Sequence, residues 1–177
     1  MRPRCAHNPA HPRAPGFSLV EVVVAILVLS ALLAASLNTV VASATMQRHA
    51  ADRARARVLA LDLLNEARKH PYDDPVAGSG IGPGPTEING TRSLFNDVDD
   101  FNGWSASPPQ RTDGSVIPGF EGWTRACTVE YVSLADPTTV VLTDSGVKRI
   151  TVTVHRGKQP MASAVALRTR GLDRHLD

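Results

Sequence analysis

The sequence predicts an α+β fold, in which one long N-terminal helix packs on a small antiparallel β-sheet. Residues 17–70 contain no proline, and helix-forming residues persist through this stretch until Pro71. From Trp123 onward, apolar and polar residues alternate with a period of two, which is typical of antiparallel strands with one covered face. These two patterns place the helix first and the sheet last along the chain.

The first half of the predicted helix, residues 17–37, is apolar on all sides and contains one charged residue, Glu21. A helix of this length would span about 32 Å, which matches the hydrocarbon core of a bilayer. The sequence therefore predicts a transmembrane half of the helix. A charged side chain costs about 2.5–3.5 kcal/mol at the centre of a membrane and less near its surface, so Glu21 requires a functional reason.

The second half of the predicted helix, residues 38–70, is amphipathic. An apolar stripe with spacings of three and four is expected to cover the sheet, and it consists of Ala50, Ala54, Val58, Leu61, Leu64 and Ala67. Arg53, Arg55 and Arg57 alternate with other residues and so do not share one helix face. This spacing favours a solvated side of the helix over a lipid or nucleic-acid site.

Residues 71–122 are rich in glycine and proline and predict a long connecting loop, of the kind that is usually functional or mobile. Within it, Asp97, Asp99, Asp100 and Asn102 offer clustered oxygen atoms, which suit calcium. The spacing does not reproduce the helix–loop–helix calcium site, and Asp and Asn also shape turns through their own backbone. Calcium binding and turn shaping therefore both remain open, and no other cofactor is expected.

Residues 123–170 predict the antiparallel sheet, followed by a polar tail at residues 171–177. The strand patterns begin at Trp123 and around Ile150 and return at residues 162–169, after a hairpin connection at residues 156–160. A further short strand is expected at residues 140–142. Cys127 lies inside a strand pattern, where a lone cysteine is most often a small buried apolar residue.

Residues 1–16 form a short basic leader, which contains Arg2, Arg4 and Arg13 and no acidic residue. Positive residues beside a membrane span stay in the cytoplasm, so we expect a single-pass protein with a cytoplasmic N-terminus and an outward-facing C-terminal part. Because the leader contributes +3 to a formal net charge of +2, the rest of the chain is near −1, and the basic pI does not indicate a nucleic-acid partner.

The hexapeptide Gly16-Phe17-Ser18-Leu19-Val20-Glu21, with the basic leader before it and the apolar run after it, resembles the processing site of type IV prepilins and type II secretion pseudopilins. The resemblance implies that prepilin peptidase cuts after Gly16 and methylates the new N-terminal residue, Phe17. It also implies that Glu21 neutralises the amine of a neighbouring subunit during assembly. The fold implied is pilin-like, and the implied location is the inner membrane and then a periplasmic or extracellular filament.

Two shorter segments, residues 71–74 and 95–104, resemble minor pilins of the MSHA and PilV-like type. The implied partners are prepilin peptidase, other pilin or pseudopilin subunits, the inner-membrane assembly machinery and the lipid bilayer. The sequence contains no HExxH, CxxC, Walker or GxSxG motif, so we expect no enzymatic activity. The alternative function is a membrane-anchored binding module that never polymerises.

Overall fold

The fold is α+β, with a long N-terminal helix and a four-stranded antiparallel sheet, as predicted. The computed structural model describes residues 16–75, 80–85, 87–88 and 91–171, so nearly all of the predicted leader and tail lies outside the described residues. Helix α1 runs from Leu19 to Arg68, which agrees with the predicted helix to within two residues at each end. The chain divides into two compact units, residues 1–47 and residues 48–177.

In the first unit, every described residue of α1 is exposed. Its few hydroxyl groups turn back onto the helix: Ser30, Ser36 and Thr39 donate hydrogen bonds to the carbonyl oxygens four residues earlier, at 2.7, 2.8 and 2.9 Å. Such bonds satisfy the hydroxyls without water. By length and composition, this helix could cross a membrane.

In the second unit, the strands lie in the order β1 to β4, and each pairs antiparallel with the next. They are β1 (Ser105–Ala106), β2 (Trp123–Tyr131), β3 (Val147–Arg156) and β4 (Gln159–Thr169). The strand predicted at residues 140–142 is wrong, because this segment forms only an isolated bridge between Val132 and Val140. The predicted hairpin connection between β3 and β4 is confirmed.

The helix face that covers the sheet differs from the predicted stripe. The buried residues of α1 are Ala56, Leu59, Ala60, Leu63, Leu64 and Ala67. Leu64 and Ala67 were predicted, whereas Val58 and Leu61 are 68% and 51% exposed. The helix carries apolar residues on two faces, and a pattern with spacings of three and four fits both of them equally well.

The connecting segment is more closely packed than its composition suggests. Phe95, Val98 and Phe101 are buried in the same core as the helix and the sheet. Phe95 and Phe101 meet edge to face, with ring centroids 5.0 Å apart. Two short 3₁₀ helices, Arg92–Leu94 and Asp99–Phe101, set the positions of these rings. Aromatic burial thus joins this part of the segment to the domain.

Candidate processing and assembly site

The junction between Gly16 and Phe17 is accessible and lies outside the helix. Phe17 is 83% exposed, and a side-chain atom placed on Gly16 would meet nothing within 4 Å. The helix begins two residues later, at Leu19. An enzyme could therefore approach the Gly16–Phe17 peptide bond without first unwinding α1.

Ser18 caps the N-terminus of α1. Its Oγ accepts a hydrogen bond from the backbone N–H of Glu21 at 3.2 Å, and its carbonyl oxygen accepts the first helical bond from Val22 at 3.2 Å. Ser18 and Glu21 thus occupy the first and last positions of the S-x-x-E capping pattern. The capping role of Ser18 was missed from the sequence, although this pattern could have revealed it.

Capping also places Glu21 in the first helical turn. The backbone N–H groups there carry partial positive charge, which stabilises a nearby carboxylate. The expected pairing of Glu21 with the amine of Phe17 joins two different subunits, so it remains a prediction for a single chain.

The predicted oxygen cluster forms a compact turn. Asp97 Oδ1 accepts the backbone N–H groups of Asp99 and Asp100, at 2.6 and 3.1 Å. Asp100 Oδ2 accepts the N–H groups of Asn96 and Asp97, at 2.7 and 3.2 Å. These reciprocal bonds are those of residues that shape their own backbone.

The other two members of the cluster bind the sheet. Asn102 Oδ1 accepts the backbone N–H of Val129 in β2 at 3.0 Å. Asp99 Oδ2 pairs with Lys148 Nζ in β3 at 2.7 Å, and both side chains are at least 97% buried. Lys148 Nζ also lies 3.9 Å from the ring centroid of Tyr72. The segment is therefore attached to two strands.

Calcium would have to compete with these partners. Among the residues that the structure describes, no three His, Cys, Asp or Glu side chains come together in an arrangement that could hold a metal ion. The geometry favours turn shaping over calcium, and calcium binding remains a prediction for titration.

Burial, reinforced by the charges of Asp100 and Asp99, raises the pKa of Asp97 to about 6.

Two buried arginines join the helix to the loop beside the sheet. Arg92 Nε donates to Glu66 at 3.0 Å, and its guanidinium lies 4.1 Å from the ring centroid of Trp104. Arg125 is fully buried and donates to the carbonyl oxygen of Leu59 at 3.1 Å. Burial, followed by the charge of Arg92, lowers the pKa of Arg125. The dense local pairing indicates a structural role for both arginines.

Cys127 is buried, as predicted, and is unbonded. Burial raises the pKa of its thiol to about 12, so the reactive thiolate is not populated at neutral pH. The cysteine therefore acts as a small core residue.

Residues 12–37 match the family model described as the prokaryotic N-terminal methylation motif. This motif is the signal of type IV pilins and pseudopilins, whose members are structural and not catalytic. No curated protein and no solved structure shows a significant match to the chain. The matched segment contains the accessible junction, the capping serine and Glu21.

Proposed function

Because the chain carries a prepilin-type signal next to a helix long and apolar enough to span a membrane, we propose that it is a minor structural subunit of a type IV pilus or a type II secretion pseudopilus. Prepilin peptidase cuts it after Gly16, methylates Phe17, and leaves Glu21 to pair with the amine of a neighbouring subunit. The subunit then leaves the inner membrane through the assembly machinery. The accessible Gly16–Phe17 junction carries this proposal.

The exposed surface of α1 supports assembly as well as insertion. The first half of the helix is apolar around its whole circumference, and none of its described residues is buried. Such a surface requires lipid or other helices. In the second half of the helix, four exposed apolar residues face away from the sheet and form an outer stripe. They are Ala50, Ala54, Val58 and Leu61. Assembly with other subunits would cover the outer stripe.

Processing is tested by intact-mass measurement on membrane-extracted protein from cells with and without the peptidase. The expected product begins at Phe17 and carries one added methyl group. Gly16→Val should abolish this product, because the cut requires glycine, whereas Ala14→Val in the same leader should not. A wild-type chain that keeps Met1 in the presence of the peptidase would refute the proposal.

Assembly is tested by Glu21→Ala. Removing the carboxylate makes the span more apolar, so insertion should persist or improve. Incorporation into sheared filaments should fall, because the amine of a neighbouring subunit loses its partner. Equal recovery of wild type and variant in the filaments would contradict this role.

The minor status of the subunit rests on composition. The chain after Gly16 has one cysteine, Cys127, so it lacks the cysteine pair that closes the C-terminal loop of many major pilins. Quantitative proteomics of purified filaments decides the question. We expect few copies for each filament, and finding this chain as the most abundant subunit would show that it is the bulk protein instead.

A further inference from the structure

The hairpin of β3 and β4 is strongly basic. Between Asp144 and Asp173 the sequence contains no acidic residue and six basic ones, which are Lys148, Arg149, Arg156, Lys158, Arg168 and Arg170. Several of these form ion pairs with carboxylates of other elements, such as Arg149 with Glu130 at 2.8 Å. Lys148, Arg156 and Arg170 likewise pair with Asp99, Asp52 and Asp73, so most of the positive charge of the hairpin is already paired with other elements.

Strand β4 lies at the end of the sheet. It has 11 residues, and among the described parts of the chain no strand pairs with its other side. Residues 159–167 contain no charge, and Val165 and Leu167 are 57% and 43% exposed. Natural proteins usually protect such an edge with a charge, a proline, a bulge or a cover, since its free backbone groups can pair with another strand. Here Pro160 and the register shift beside His155 lie at the hairpin end, away from Val165 and Leu167.

A cleft of about 500 Å³ lies beside this edge. Its lining consists of Asn65, Arg68, Lys69, Leu167 and Arg168. Three of these five side chains are cationic and none is a carboxylate; Arg168 already has an interaction partner, so Arg68 and Lys69 carry the charge argument. Positively charged walls next to unpaired strand groups suit a ligand that combines extended backbone with negative charge.

We propose that the free edge of β4 binds an extended, acidic peptide segment of another protein. The segment pairs its backbone with β4, places apolar side chains beside Val165 and Leu167, and directs a carboxylate into the cleft toward Arg68 and Lys69. This inference does not depend on processing at Gly16.

Two other occupants fit less well. A second copy of this chain would bring its own cleft cations, Arg68 and Lys69, toward those of the first, and like charges would oppose the pairing. A single-stranded nucleic acid binds through basic grooves with aromatic stacking platforms. In the described strands, the sheet face opposite the helix is built mainly of small side chains such as Thr128, Thr151 and Thr153, so it offers no such platform.

The test uses the full chain in a neutral detergent and two synthetic peptides. One alternates valine with threonine and glutamate, and the other has lysine in place of each glutamate. We expect the glutamate peptide to bind at least about tenfold more tightly, which corresponds to about 1.4 kcal/mol. Hydrogen exchange should show new protection of the β4 amides when this peptide is bound.

Charge reversal locates the site. The double variant Arg68→Glu and Lys69→Glu should lose the preference for the glutamate peptide. The matched control, Arg55→Glu and Arg57→Glu, changes two exposed residues of α1 that do not line the cleft, and it should keep the preference. Both pairs of substitutions lie on exposed positions, so hydrogen exchange in the core should remain that of the wild type.

Three results would overturn the proposal. The first is equal binding of the two peptides, or no protection of β4 by either. The second is protection of β4 without peptide that grows with protein concentration, which would identify a second copy as the occupant. The third is tighter binding of an oligonucleotide than of the glutamate peptide, provided that the double variant Arg68→Glu and Lys69→Glu abolishes the binding of the oligonucleotide.

Discussion

Asp97→Asn should flatten the dependence of stability on pH. The Asp97 side chain is 1% exposed, and its Oδ2 has no hydrogen-bond partner, while Oδ1 accepts two backbone N–H groups. Burial is the main cause that raises its pKa, from 3.8 to about 6. A carboxyl whose pKa is higher in the folded state binds a proton more tightly there. Ionisation of Asp97 therefore lowers the free energy of unfolding as pH rises from about 4 to about 7.

The magnitude follows from the two pKa values. A difference of about 2 pKa units corresponds to about 3 kcal/mol at 1.36 kcal/mol for each unit. Asparagine keeps the Oδ1 acceptor but cannot ionise. Its buried amide group costs about 1–3 kcal/mol if it finds no acceptor, and this cost is the same at every pH. The variant should therefore gain about 3 kcal/mol relative to wild type between pH 4 and pH 8, whatever its absolute stability.

The assay is denaturant unfolding of the detergent-solubilised chain at several pH values, followed by the fluorescence of Trp104 and Trp123. Asp113→Asn is the control, because hydrogen bonds from Ser115 lower the pKa of that exposed carboxyl. It should leave the fall in stability between pH 4 and pH 7 in place. Parallel curves for wild type and Asp97→Asn would refute the reasoning.

Three further predictions concern the other contacts of the domain and the outer stripe. Lys148→Met should destabilise the domain by about 3–5 kcal/mol in the same unfolding assay, because Asp99 then keeps a buried charge without a partner. Adding Asp99→Asn to this variant should restore part of the lost stability. Val58→Ser should change the unfolding free energy by less than about 0.5 kcal/mol, since the side chain is exposed, yet lower recovery in filaments; normal recovery would exclude the outer stripe from assembly. Calcium titration should release no heat and leave the protease cleavage pattern unchanged, because one oxygen of each carboxylate is already engaged and the unpartnered Oδ2 of Asp97 and Oδ1 of Asp99 are buried. A saturable signal would support the calcium site.

Local periodicity predicted the elements but not the partners of the buried charges. The helix and the three long strands follow from spacings within single segments. Arg125 occupies the inward position of its strand together with Trp123 and Cys127, so the alternation itself marks it as a buried charge. Its partners on the helix lie more than 60 residues away along the chain, and no local pattern connects them.

The error in the helix face has a physical cause. Ala56, Ala60 and Ala67 are as small as the alanines of the exposed stripe, so side-chain type does not distinguish the two faces. A helix that must pack on its own sheet and also meet lipid or other helices carries two apolar stripes. Sequence alone then cannot assign a stripe to either partner.

The position of the cap has a consequence for the energetics of maturation. The hydrogen bonds at the start of α1 are accepted by Ser18, so a cut between Gly16 and Phe17 would remove no group that the described helix uses. Leader removal would therefore cost the helix none of these hydrogen bonds, but it would change the charge at this end of the chain. The new amine would lie beside N–H groups of like sign, and relief of that repulsion would favour a neighbouring carboxylate.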